Sequence, residues 1–244
     1  GYISICTASV IDQEVLLTAG HCVYSRDSSG NVEKNAVSSP SKIEVRNGAN
    51  ILYSSAIAKA SKVVMHEKWD GVLKAGYFDD INDIALIKLD RKLTDLEIYG
   101  LRNDPIEEEG DSGIIVGYGV TGFDKEDSGK HRKGTSTIID MNEFRSKSFT
   151  SGSPSYSCFG DSGGPFFTSQ GGDDVVSGIA SYVSGGTCSY ENEYVHVLSY
   201  REWIDEKMQE LTSHGLDVIC GNGKIEIGEK CDKNLIKCSK INPT

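Results

Sequence analysis

One serine in this chain sits in a setting unlike the others. Ser162 occupies Cys158-Phe159-Gly160-Asp161-Ser162-Gly163-Gly164-Pro165, with glycines on both sides and the apolar pair Phe166-Phe167 following. Glycine opens backbone conformations closed to other residues and lets a second molecule approach the main chain closely. A hydroxyl projecting from such a turn, with main-chain N–H groups nearby, suits attack on a carbonyl whose oxygen then gathers negative charge. The competing reading is a Gly-rich turn between two strands, with Ser162 only a turn residue. A serine hydroxyl is a weak nucleophile unless a base takes its proton and a third group orients that base. The chain must therefore supply a histidine and a carboxylate.

Two histidines compete. His21 ends Leu16-Leu17-Thr18-Ala19-Gly20-His21-Cys22, an apolar β-rich run leading straight to a cysteine that could fix the strand end. His66, in His66-Glu67-Lys68-Trp69-Asp70, has no adjoining cysteine and no comparable run before it. For the carboxylate, Asp79, Asp80 and Asp83 lie close together, but Asp83 alone stands immediately before the apolar strand Ile84–Leu89. That position would bury it, and a buried carboxylate needs a hydrogen-bond or charge partner; an imidazole N–H would serve. Asp79 and Asp80 read as solvated loop residues.

The three stretches, in the order His, Asp, Ser, resemble the catalytic motifs of the trypsin/chymotrypsin-like serine proteases, with Gly20 where that family often has alanine. The resemblance covers roughly residues 1–215. It implies an all-β fold of two packed antiparallel β-barrels (chymotrypsin-like) with a C-terminal α-helix. By residue, it implies His21, Asp83 and Ser162 as the catalytic set, the N–H groups of Gly160 and Ser162 as the oxyanion hole, Asp161 as a support of the nucleophile loop, and Ser181 as a support of Asp83. It also implies disulfides Cys6–Cys22 and Cys158–Cys188. The substrate pocket falls on Tyr156 (the floor), Ser157, Tyr182, Val183 (one gate) and Asn192 (the opposite wall), with Gly185-Gly186 at the entrance. Tyr156 carries no carboxylate to hold Arg or Lys, and tyrosine and valine narrow the cavity. The expected preference is small or medium neutral residues before the cleaved bond; Glu191 or Glu193 reaching in from the side would change it. Partners are expected to be protein or peptide substrates and an activating protease, with no cofactor and no metal. In the family a freed α-amine pairs with the aspartate before the nucleophile, here Asp161. A segment ahead of Gly1 is expected to supply it, and a zymogen-like or non-catalytic form on the same scaffold is the alternative.

Composition reads as soluble and globular rather than disordered. The 244 residues are 38% hydrophobic and 25% charged, enough for a large core. With 25 Lys+Arg against 36 Asp+Glu, the net charge of −11 disfavours nucleic acid as a partner. No apolar run approaches the ~20 residues of a membrane helix. Seven cysteines without a CxxC spacing argue for disulfides in an oxidising compartment, so the protein is expected to be secreted, with the odd cysteine unpaired, paired between chains or paired with a residue upstream of Gly1.

Strands are expected before Asp12, over Val15–Leu17, in short stretches from Lys42 to Met65 (Ala56 to Lys62 being equally helical by propensity), over Ile114–Gly119, over Val175–Val183 and over Tyr194–Leu198. Residues 24–41 read as a surface loop. A helix about 199–214 is expected to open with a capping box at Ser199-Tyr200-Arg201-Glu202, to face the core with Tyr200, Trp203, Ile204, Met208 and Leu211, and to stop at Gly215. The domain scheme is a protease domain 1–216 (first barrel about 1–104, second about 105–198) and a Cys-rich segment 217–244 holding Cys220, Cys231 and Cys238.

Overall fold

In a computed structural model, the structure describes residues 4–26, 32–69, 82–105, 109–141, 148–183, 187–188 and 191–212. The segment 217–244, Gly185-Gly186, Asp79, Asp80 and Gly215 lie outside these residues.

Chain order builds two sheets in turn. The first contains β1 (Ser9–Asp12), β2 (Val15–Thr18), β5 (Glu44–Arg46), β6 (Ala56–Met65) and β7 (Ala85–Leu89), in the order β1-β2-β7-β6-β5. The described residues form a curled, open sheet here. β3 (Tyr24–Arg26) and β4 (Val32–Val37) pair as a separate hairpin within the stretch that reads as loop. The second sheet contains β8 (Gly100–Leu101), β9 (Ser112–Gly117), β10 (Arg132–Asp140), β11 (Ser148–Pro154), β12 (Pro165–Gln170), β13 (Asp173–Val183) and β14 (Asn192–His196). Its order β12-β9-β10-β11-β14-β13 closes through β12–β13 pairing into a six-stranded barrel, with β8 alongside β13. Closure removes the open edges that would otherwise pair with other chains. The described residues are mostly β with one α-helix, Arg201–Leu211, after the last strand, the chymotrypsin-like arrangement.

Several elements settle what propensity left open. Ala56–Met65 is strand throughout, because it is paired on both sides, with β5 and β7; tertiary pairing overrides helical propensity. Ile51 and Tyr53 lie in a turn rather than a strand. The last strand ends at His196, and a 3-10 turn over Val197–Tyr200 leads into α1 (Arg201–Leu211). The expected capping box is displaced: Tyr200, not Ser199, is the N-cap, and it makes no side-chain capping bond. The helix ends at Leu211, where the Thr212 N–H and hydroxyl both donate to the Met208 carbonyl, each at 2.8 Å, ahead of the expected Gly215.

The core explains why the sheets meet where they do. β2 is Val-Leu-Leu-Thr with every residue buried. Leu17, Ile84 and Leu86 from the first sheet pack in one cluster with Phe167, Val176 and Ile179 of the second and with Ile204, Met208 and Leu211 of α1. His21 and Asp83 sit at the ends of β2 and β7, which are neighbours in register, with Thr18 opposite Ala85.

Candidate active site

The segment after β2 turns tightly over Gly20–Cys22 and brings His21 back toward β7. Asp83 is fully buried at the start of that strand. Its Oδ1 accepts the His21 main-chain N–H at 2.7 Å, and its Oδ2 lies 2.7 Å from His21 Nδ1. Ser181, on β13, donates its hydroxyl to the same Oδ2 at 2.6 Å. These donors satisfy the buried carboxylate, as burial requires. Burial works against the charged imidazolium of His21, but the negative charge of Asp83 and its hydrogen bond outweigh that, and the His21 pKa stands above the ordinary 6.5. The bond at Nδ1 leaves Nε2 as the ring nitrogen able to exchange a proton elsewhere.

Ser162 lies against this segment. Its carbonyl accepts the Thr7 N–H at 2.8 Å and lies 3.6 Å from Cys22 Sγ. The next residue is tighter still. A Cβ on Gly163 would fall 2.1 Å from Thr18 Oγ1 and 2.9 Å from the Ala19 nitrogen, and φ is +79° there, so only glycine fits. Disulfides Cys6–Cys22 and Cys158–Cys188 pin the His21 turn and the start of the glycine-rich loop that carries Ser162, with Cα–Cα distances of 6.1 and 5.0 Å.

The loop from Cys158 to Gly164 spends its hydrogen bonds unevenly. The N–H groups of Asp161, Gly163 and Gly164 go to the carbonyls of Cys158, Ala180 and Asp161, and that of Cys158 goes to Asp161 Oδ2 at 2.9 Å. Among the described residues, the N–H groups of Phe159, Gly160 and Ser162 have no internal acceptor. Unspent donors on either side of a nucleophile are available to a developing oxyanion. Asp161 points inward: Oδ1 takes the Gly119 N–H at 2.7 Å, and a Cβ on Gly117 or Gly119 would strike the carboxylate. Burial pushes its pKa up, against the pull of the two backbone N–H bonds and of Arg132.

Of the residues expected to line the pocket, Asn192 bonds Ser157 directly. Asn192, buried on β14, takes the Ser157 N–H at 2.6 Å and gives its own amide N–H to the Ser157 carbonyl at 3.1 Å. The Ser157 hydroxyl bonds the Tyr194 hydroxyl. Val183 stands opposite Asn192, and Tyr182 opposite Glu193. Tyr156 is half-buried with its ring beside Gly152 of β11. Glu191 is exposed, and Glu193 is buried. Asn192 and Tyr194 both reach Ser157, so the strand's period of two points Glu193 to the other face.

His66 has a structural place: its ring lies 5.1 Å from that of Trp203 and 5.4 Å from that of Tyr200, between β6 and α1. His21 also lies within 4.8 Å of the sulfurs of Cys6 and Cys22. Both sulfurs are spent in their disulfide and Nδ1 is turned to Asp83, so the trio has no donor set for a metal. Sequence reasoning gave Asn82 no role of its own and Tyr200 only a place on the helix's core face, although both touch the site's support. Asn82, at φ 38°, gives its N–H to the Tyr200 hydroxyl at 3.2 Å, and that hydroxyl bonds Asn82 Oδ1 at 3.2 Å. An asparagine immediately before a buried aspartate was the available signal, since Asn tolerates positive φ better than most residues.

Comparison with known proteins bears on the family. The family profile described as Trypsin matches residues 2–204. Trypsin-1 of Astacus astacus is 28% identical over 214 residues, covering 82% of this chain and 86% of the relative. Chymotrypsin of Phaedon cochleariae is 29% identical, covering 82% and 70%. Collagenase of Hypoderma lineatum is 26% identical, covering 82% and 75%.

Proposed function

We propose, because this chain belongs to the trypsin family and is a serine endopeptidase of that family, that it cleaves peptide bonds through an acyl-enzyme on Ser162. Ser162 Oγ attacks the scissile carbonyl while His21 Nε2 takes its proton. The resulting imidazolium is held by Asp83, which fixes the tautomer through Nδ1. The carbonyl oxygen, now negative, is received by the N–H groups of Gly160 and Ser162. Collapse of the tetrahedral adduct breaks the C–N bond, with the proton passing from His21 to the leaving amine; water then repeats the sequence and frees Ser162. The observation that carries this reading is the set of bonds on Asp83: His21 at both its main chain and ring, and Ser181. An exposed loop serine and a chance histidine would not need a buried carboxylate ordered in this way.

The pocket supports cleavage after small or medium neutral residues. Asn192 caps the main chain of Ser157, Val183 faces Asn192 across the strands, Tyr156 offers no charge, and Glu193 belongs to the opposite strand face. The two disulfides support secretion into an oxidising compartment, and no helix among the described residues is long and apolar enough to cross a membrane. A fluorophosphonate probe is expected to label the protein, with labelling and peptidase activity both lost in Ser162→Ala; retained hydrolysis in that variant would overturn the mechanism. On a panel of peptide anilides, turnover is expected after Ala, Val or Leu. Dominant cleavage after Arg would overturn the pocket reading alone.

A further inference from the structure

Thr7 has no part in the mechanism above, yet it touches three parts of the site at once. It is 5% exposed and directly follows Cys6, whose disulfide adjoins His21. Its N–H donates to the Ser162 carbonyl at 2.8 Å, and its carbonyl accepts the Thr18 hydroxyl at 2.8 Å, just before the His21 turn. Its own hydroxyl lies 3.0 Å from the Gly160 carbonyl and accepts the Tyr118 N–H at 3.2 Å. A threonine hydroxyl has a single proton. With the oxygen already taken by the Tyr118 N–H, that proton goes to Gly160.

The carbonyls of the loop show why this matters. Those of Cys158, Phe159, Asp161 and Ser162 each accept a main-chain N–H, from Asp161, Val120, Gly164 and Thr7 respectively. Among the described residues, the Gly160 carbonyl is held by a side chain alone. The peptide carrying the Gly160 N–H is fixed through the Phe159 carbonyl, and the peptide carrying the Ser162 N–H through the Asp161 carbonyl. The peptide between them is held within the loop at its N–H, which Asp161 donates to the Cys158 carbonyl at 2.9 Å, and from outside the loop at the Gly160 carbonyl by Thr7. Its rotation sets the angle between the two donors, and Thr7 supplies the outside tie that limits it. Gly160 has φ +102° and no side chain to resist that rotation. Thr7, β-branched and stiff at χ1, is tied at its main chain to both the loop and β2.

We propose that Thr7 is a positioning residue that locks the peptide between Gly160 and Asp161 and so aligns the two oxyanion donors. This rests on the reading of the Gly160 and Ser162 N–H groups as the oxyanion hole. It deepens that reading by naming a group outside the loop that sets the hole's shape.

The test compares Thr7→Val, which keeps the shape without the hydroxyl, with Thr7→Ser, which keeps the hydroxyl. Turnover of a peptide anilide and inhibition by a peptide boronic acid are measured in the full-length protein. Thr7→Val is expected to lower kcat about tenfold, to leave KM within about twofold, and to weaken the boronate by about the same factor as kcat; Thr7→Ser should recover most of both losses. Unchanged kcat and boronate affinity in Thr7→Val would overturn the proposal, as would a Thr7→Ser variant as impaired as Thr7→Val. Should Thr7→Val not fold, Thr7→Ala takes its place against Thr7→Ser, with the same outcomes. Failure of the underlying mechanism looks different: the wild type itself would neither turn over nor bind the boronate, and Ser162→Ala would change nothing.

Discussion

His21 and Asp83 make a pair whose two protonation states do different things. The imidazolium is favoured by Asp83, so the folded-state pKa lies above the unfolded 6.5. The sign follows for stability: the contribution of His21 is present in full below the unfolded value and is lost as pH rises through the folded one. Activity runs the other way, because only neutral His21 can accept the Ser162 proton. The acid limb of kcat/KM is therefore expected at a midpoint above pH 6.5, and Asp83→Asn should move it downward while lowering kcat by about 10⁴-fold. A pH–rate profile of both proteins checks this; a midpoint below 6.5 in the wild type would count against the pairing. Space makes a second contrast. A Cβ on Gly163 meets Thr18 Oγ1 at 2.1 Å, whereas on Gly20 its nearest neighbour is Asp83 Oδ1 at 3.2 Å, with φ in an ordinary region. In urea unfolding, Gly163→Ala should cost about 3 kcal/mol or more, and Gly20→Ala less than about 1 kcal/mol. Residues of this kind were legible in the sequence because their chemistry is local: a histidine beside a cysteine, a serine among glycines, an aspartate ahead of an apolar strand. Thr7 was not legible, because its role lies in bonds to residues more than a hundred positions away.

At the level of elements, α1 supports the site from behind. Tyr200, its N-cap, is buried and bonds Asn82 at both the N–H and the side chain, and Asn82 holds a positive φ immediately before Asp83. Strained backbone of this sort persists only where its surroundings hold it. Tyr200→Phe keeps the ring and deletes the hydroxyl, leaving the Asn82 N–H without that acceptor. The expected cost is about 1–2 kcal/mol in thermal unfolding, with a fall in kcat and little change in KM when assayed well below the transition. A loss confined to stability would show that Asp83 is held without Tyr200. The helix's apolar face was readable from its 3.6-residue period, and Ile204, Met208 and Leu211 are buried. Its start was not: the Ser-Tyr-Arg-Glu pattern resembles a capping box, but a 3-10 turn occupies Val197–Tyr200 and passes the cap to Tyr200. β6 was ambiguous for a related reason. Ala-rich sequence has no strong strand preference, and it becomes strand only because β5 and β7 lie on either side of it.

Across the whole molecule, the site lies where two sheets share one core, and this decides how it should fail. Leu86, fully buried on β7, belongs to the cluster that also holds Phe167, Val176 and Ile179 of the barrel and Met208 of α1. Lys88, on the same strand, donates to the Leu211 carbonyl at 2.6 Å at the end of that helix. His21 and Asp83 come from the first sheet, and Ser162 and Ser181 from the second, so any separation of the sheets parts the catalytic set before either sheet need melt. Leu86→Ala removes a side chain from the shared cluster and should cost about 2–5 kcal/mol. If the cluster is one cooperative unit, activity and far-UV circular dichroism will be lost at the same urea concentration in both wild type and Leu86→Ala, with only the midpoint displaced. Activity lost clearly before the dichroism would instead mean that the sheets part first and that the shared core is weaker than the cores within each sheet.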